Sequence, residues 1–246
     1  MASQGVAALL SVLYLMKGDD VCRLDWRRIR IDRGVLGQVL RIGVPAGLQS
    51  MVITLSNVII QWAINGFGVD AIAAFSAYFK LELLIYLPIV AFGQAMMTFS
   101  GQNIGAGRFD RVRLGVRAAI TMGVAYAAVS AALLLLFGGQ SFALFNKDAA
   151  VIACGVRIIR VTFPFYWIYA ILEVLADTIR GAGRSLPPMA IILVCLCVLR
   201  TALLLLFLNR FGTLESVAAV YPCAWVAASA ALAVYWRRMC RENRTA

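Results

Sequence analysis

Three carboxylates stand inside otherwise apolar stretches of this chain, at Glu82, Glu173 and Asp177. Burial raises a carboxyl pKa and a nearby cation lowers it, so such a group can be set to exchange protons near neutral pH or to ligate an ion. These three are therefore the candidates for coupling to a cation. Each also has a structural alternative. Asp177 lies three residues before Arg180, the spacing of a helix-end ion pair. Glu82 has Lys80 and Arg200 as candidate partners that would tie helices together. Glu173 lies deeper, on a face rich in tyrosine.

Polar residues elsewhere fall into rows at helical spacing. Ser50, Thr54, Asn57, Gln61 and Asn65 share one face, as do Tyr78, Glu82 and Tyr86, followed by Gln94, Thr98 and Gln102. The longest row is Thr162, Tyr166, Tyr169, Glu173, Asp177 and Arg180. Amides and carboxylates facing lipid would cost several kcal/mol each, so the rows are expected to converge on one water-accessible surface. Asn57, Gln61, Tyr78, Tyr86, Tyr166 and Tyr169 are the residues expected to line it.

The elements that hold these rows are long apolar helices. Hydrophobic residues make up 62% of the chain and charged residues 14%, with a mean hydropathy of +0.85. A soluble domain is about half apolar and about 25% charged, so the chain is read as an all-α integral membrane protein. Six complete spans are expected near Val39–Asn65, Ile72–Gly101, Val116–Phe137, Val156–Ile179, Pro188–Leu208 and Ser216–Trp236. At about 1.5 Å per residue the second of these exceeds the roughly 30 Å of a hydrocarbon core. Residues 1–16 read as the end of a further, truncated spanning helix, and the first residues lack the basic and cleavage features of a signal peptide. Residues 17–38 read as a polar linker with Asp32 placed as an N-cap, 39–236 as the bundle, and 237–246 as a basic tail. Pro45 should bend its helix or ease the chain into it, and Pro88 should kink its own.

The net charge of +11 comes mostly from arginine between apolar segments, which reads as topology and not as nucleic-acid binding. Of the 23 Lys and Arg residues, seventeen fall in 17–41, 108–117, 180–184 and 237–244. That bias places those segments and the C-terminus in the cytoplasm, in a multi-pass protein of the plasma membrane (the inner membrane of a bacterium). The chain has no histidine, which removes His-based zinc sites, Ser-His-Asp and Cys-His catalysis and His-ligated haem. Its six cysteines form no Cys-x-x-Cys pair, so neither a metal site nor a cofactor is expected. The clustered Asp, His or Ser motifs of membrane transferases and proteases are also missing.

Small residues end two helices in the same way. Gly-Ala-Gly-Arg occurs at 105–108 and again at 181–184, so Gly105, Gly107, Gly181 and Gly183 are expected to serve one shared helix-ending device. A phosphate loop is a poor reading of Gly101-Gln102-Asn103-Ile-Gly105, which follows a helix and lacks the Lys-Ser/Thr ending. Helix packing and capping fit it better.

Three stretches together resemble the second lobe of the multidrug and toxic compound extrusion (MATE) family. They are Leu40-Arg-Ile-Gly-Val-Pro45-Ala-Gly-Leu-Gln49, then Pro88-Ile-Val-Ala-Phe-Gly-Gln-Ala-Met96 with Gly101–Arg108, and Arg180-Gly-Ala-Gly-Arg184. The resemblance implies a six-helix lobe of a twelve-helix antiporter that exports amphipathic organic cations against H⁺ or Na⁺. It implies membrane lipid, such substrates, and an N-terminal lobe or a second copy as partners. Several members carry a coupling Asp in the first lobe and some a Glu in the seventh helix, but Val39–Asn65 contains no carboxylate. A flippase of the related lipid-linked oligosaccharide exporters and a non-catalytic assembly subunit are the alternatives.

Overall fold

The computed structural model describes residues 2–17, 30 and 32–242. Among the described residues all regular structure is helical. The chain divides into two compact units, Met1–Gly43 and Val44–Ala246. The first holds helix α1 (Ala2–Lys17) and the start of α2 (Arg33–Asn65). Most of the expected linker, 18–29 and 31, lies outside the described residues, as do residues 243–246 of the basic tail. The helix expected from Val39 begins earlier, because the Asp32 carboxylate accepts from Gly34 N at 2.7 Å and Val35 N at 3.0 Å. Pro45 therefore lies in the helix interior, not near its start.

The remaining helices are α3 (Val69–Gly105), α4 (Phe109–Leu136), the short α5 (Gly138–Ala143), α6 (Ala149–Thr162), α7 (Tyr166–Gly181), α8 (Leu186–Leu193), α9 (Arg200–Arg210) and α10 (Leu214–Glu242). Among the described residues, six stretches are long and apolar enough to cross a membrane. Two of them are composite. Pro164 sits in a 3₁₀ turn, Phe163–Phe165, between α6 and α7, where its missing N–H costs least. Between α8 and α9 a π-helical segment, Val194–Leu199, carries the chain directly into Arg200.

The core of the second unit is built on α3 against α7, with α4 closing one side and α10 the other. Small residues set that spacing. Gly181 of α7 lies against the main chain of Met97, and Gly101 faces the Gly181 carbonyl. Gly105, the other half of the expected packing motif, meets nothing within 4 Å. Helix α4 buries a face of small residues (Ala119, Gly123, Ala127, Ala131) against its neighbours.

The repeated Gly-Ala-Gly-Arg is one device used twice. Gly107 and Gly183 adopt φ of 70° and 79°, the left-handed region open to glycine. Arg108 N bonds Asn103 O and Arg184 N bonds Ile179 O, the six-to-one bond of a Schellman cap, and the inner five-to-two bond forms in both. Beyond the second cap, Arg184 donates to Glu242 at 2.9 Å and to Tyr235 at 3.4 Å. The Tyr235 and Glu242 acceptors push its guanidinium pKa up, keeping the charge in place.

Candidate functional site

Two adjoining clefts run along the faces of α2, α3 and α7. The first, of about 430 Å³, is lined by Asn57, Lys80, Glu82, Tyr86, Tyr166, Tyr169 and Arg200, with Tyr221 and Trp225 from α10. The second, of about 450 Å³, is lined by Gln49, Gln94, Glu173, Asp177 and Arg180. Ile53, Tyr86, Tyr169 and Leu196 belong to both. The rings of Tyr86 and Tyr169 stack at 5.8 Å where the clefts meet.

Glu82 is held by phenols. Tyr166 donates a short hydrogen bond to its Oε1, and Tyr78 reaches the same oxygen at 3.4 Å. Both tyrosines are essentially buried, and the aromatic packing around them (Phe163, Phe75, Phe79) fixes their rings. Among the described residues Glu82 forms no ion pair. This corrects both expected partners. Lys80 is exposed and places its ammonium 5.3 Å from the Phe145 ring. Arg200, 5% exposed, donates to Ser56 Oγ at 2.7 Å and to Asn57 Oδ1 at 2.8 Å, and lies 5.3 Å from the Tyr221 ring. Ser56 passes its own hydrogen to the Leu196 carbonyl of the π segment at 3.3 Å. A buried charge is thus met by neutral acceptors and an aromatic face.

In the second cleft Glu173 accepts from Tyr169 at 3.3 Å, and Asp177 pairs with Arg180, which also donates to Gln49 at 3.3 Å. The structural alternative for Asp177, a helix-end ion pair, is the arrangement found. Gly93 makes the approach of α3 to these carboxylates workable. A Cβ there would sit 2.7 Å from Asp177 Oδ2 and 3.0 Å from Glu173 Cγ.

Of the residues expected to line one surface, Asn57, Tyr86, Tyr166 and Tyr169 line the first cleft, beside Glu82, and Glu173 and Asp177 the second. Two do not. Tyr78 is fully buried behind Glu82 and supports it from inside the core. Gln61 turns along its own helix to donate to Asn65 at 3.0 Å and lines neither cleft. Sequence reasoning passed over Ser56, Gly93, Tyr221 and Trp225 as site residues. Tyr221 and Trp225 lie four apart on one face of α10, a spacing that could have shown them, whereas Gly93 carries no signal until α7 is placed opposite it.

The MatE family model matches residues 45–206, from within α2 to within α9. The chain is 30% identical over 213 residues to the probable multidrug resistance protein YpnP of Bacillus subtilis (strain 168), which covers 85% of this chain and 47% of YpnP. It is 27% identical over 186 residues to the probable multidrug resistance protein YoeA of the same organism, covering 74% of this chain and 40% of YoeA. An outward-facing conformation of a multidrug resistance MATE family transporter of the MOP superfamily superposes with a TM-score of 0.90 at 18% identity, covering 100% of this chain and 55% of that one. A crystal structure of MATE in complex with MaL6 also gives a TM-score of 0.90, at 16% identity, and covers 100% of this chain and 56% of its own. At these identities the solved structures show the fold. The chain spans a little under half the length of these two curated relatives. Six stretches among the described residues that are long and apolar enough to cross a membrane, with the family model matching most of the chain's length, make this chain a multi-pass membrane protein that belongs to the MatE family of transporters.

Proposed function

We propose that this chain acts as the C-terminal half of a secondary active antiporter, exporting amphipathic organic cations in exchange for H⁺ or Na⁺. The observation that carries the reading is the pair of adjoining clefts in which half-buried carboxylates stand beside aromatic faces. Tyr86, Tyr166, Tyr169 and Trp225 offer π surfaces that attract a delocalised cation. Glu82 and Glu173 supply the charge that such a cation, a proton or Na⁺ would each neutralise. Export follows if the two kinds of cation compete: a coupling ion on the carboxylate removes the charge that retains the substrate, and the substrate leaves. Asp177 is the weaker candidate, since Arg180 already satisfies it.

The other wall of the cavity would come from an N-terminal lobe or a second copy. On this reading lipid surrounds the bundle, and the distribution of basic residues supports a cytoplasmic C-terminus in a protein of a bacterial inner membrane. A lipid-linked oligosaccharide is a poorer fit, because its pyrophosphate would meet Glu82 and Glu173, and Arg200 is already engaged by Ser56 and Asn57. Efflux of a fluorescent organic cation by the complete transporter tests the reading. Glu82→Gln or Glu173→Gln should abolish its dependence on H⁺ or Na⁺. Wild-type ion dependence in both variants would move coupling out of this lobe.

A further inference from the structure

A third recess lies outside both clefts, where the start of α4 meets the end of α10. It measures about 310 Å³ and is lined by Arg113, Arg117, Arg237 and Arg241, with Trp236 and Val116. Its position follows from packing. The Arg113 guanidinium lies 5.2 Å from the Phe109 ring, which in turn meets Trp236 at 5.8 Å, and it donates to the Cys240 carbonyl. Buried Val112, Val116 and Met239 form the apolar layer beneath.

The charge on three of these arginines is unanswered. Among the described residues Arg113, Arg117 and Arg237 enter no ion pair. Arg113 Nε is buried and has no acceptor. Buried N–H groups are nearly always paired, and an orphan on a cation is costlier than on a neutral group. Clustered guanidinium groups also repel one another unless an anion lies between them. Guanidinium geometry suits phosphate oxygens in particular. The recess sits at the ends of two membrane-crossing stretches, Phe109–Leu136 and Leu214–Glu242, beside a tryptophan of the kind that settles at headgroup level. Basic pockets between spanning helices are suited to anionic headgroups.

We propose that this recess binds the phosphate headgroup of an anionic phospholipid. Arg117 and Arg237 are exposed at the mouth and can be changed without touching the packed Arg113. The test measures thermal unfolding of the purified chain in detergent while phosphatidylglycerol or phosphatidylcholine is titrated in. Phosphatidylglycerol should stabilise at about tenfold lower concentration than phosphatidylcholine, because its headgroup carries a net negative charge for the arginines to meet. Arg117→Gln with Arg237→Gln should erase most of that preference. The corresponding double lysine variant keeps the charge and should keep most of it. Arg157→Gln, which removes the partner of Glu215 elsewhere, should leave it unchanged. Equal response to the two lipids, a preference that survives the glutamine pair, or a preference lost in the folded lysine pair would each overturn the proposal. Inorganic phosphate at millimolar concentration should not reproduce the stabilisation; if it does, the ligand is a soluble phosphate and not a lipid.

Discussion

The phenol of Tyr126 donates to the main-chain oxygen of Leu84 at 2.6 Å, reaching from α4 across to α3. Leu84 stands four residues before Pro88, which has no N–H to give it. The helix expected to kink at Pro88 runs as one element from Val69 to Gly105, with a neighbouring side chain supplying the missing donor. In a bilayer such replacement is required, because water is not there to serve the carbonyl.

Tyr126→Phe should therefore cost about 1–3 kcal/mol, the penalty for an acceptor left without a donor away from water. In a Pro88→Ala background the backbone N–H returns, and the same tyrosine change should cost far less. Thermal or denaturant unfolding of the four proteins in detergent measures the coupling. Equal costs in both backgrounds would show that the phenol serves some other purpose.

The α3–α7 contact makes a second prediction. A Cβ on Gly181 would lie 2.2 Å from the Met97 carbonyl oxygen, and main chain cannot swing aside. Gly181→Ala should lower stability by about 1–3 kcal/mol and reduce the yield of folded protein. Gly105→Ala, in open space on the same helix system, should be neutral or slightly stabilising. Melting temperatures of the two variants decide it, and similar losses in both would remove the packing argument.

How much of this was legible in the sequence follows from what each feature depends on. Helix number and class came from apolar runs, which are local. The site's residue types came from polar rows, since an Asn, Glu or Tyr at helical spacing in an apolar segment needs somewhere to point. Partners were not legible. Arg200 and Glu82 look like a pair in one dimension, yet the π segment before Arg200 aims it at Ser56 and Asn57 on α2. Gln61 belongs to the same row as Asn57 and still satisfies itself locally through Asn65. Helix ends differ for similar reasons: Asp32 reads as a cap, but the helix it starts begins at Arg33, ahead of the apolar run from Val39.

Topology gives a third prediction, resting on seventeen of 23 basic residues lying in four segments. Single cysteines introduced at Asn146 and at Arg238 in a cysteine-free background should label from opposite sides of the membrane. Asn146 should react with an impermeant thiol reagent added outside, and Arg238 only after permeabilisation. Labelling of both from outside would reverse the assignment of the C-terminus to the cytoplasm.

The last prediction concerns Arg200, the buried cation in a cleft proposed to receive cations. It shares that cleft with Glu82, and any organic cation bound there feels its repulsion. At an effective dielectric near 20, a unit charge about 8 Å away contributes roughly 2 kcal/mol. Arg200→Gln keeps an amide for Ser56 and Asn57 while removing that charge. Binding of tetraphenylphosphonium, read from the fluorescence of tryptophans that include Trp225 in the cleft wall, should tighten by about ten- to thirtyfold. Lys80→Gln should do much less, because the Lys80 ammonium is exposed and turned over Phe145. A neutral amphipathic dye of similar size should bind both variants as it binds the parent. Weaker binding of the cation to a folded Arg200→Gln protein would mean that Arg200 shapes the cleft through Asn57 and does not oppose its cargo.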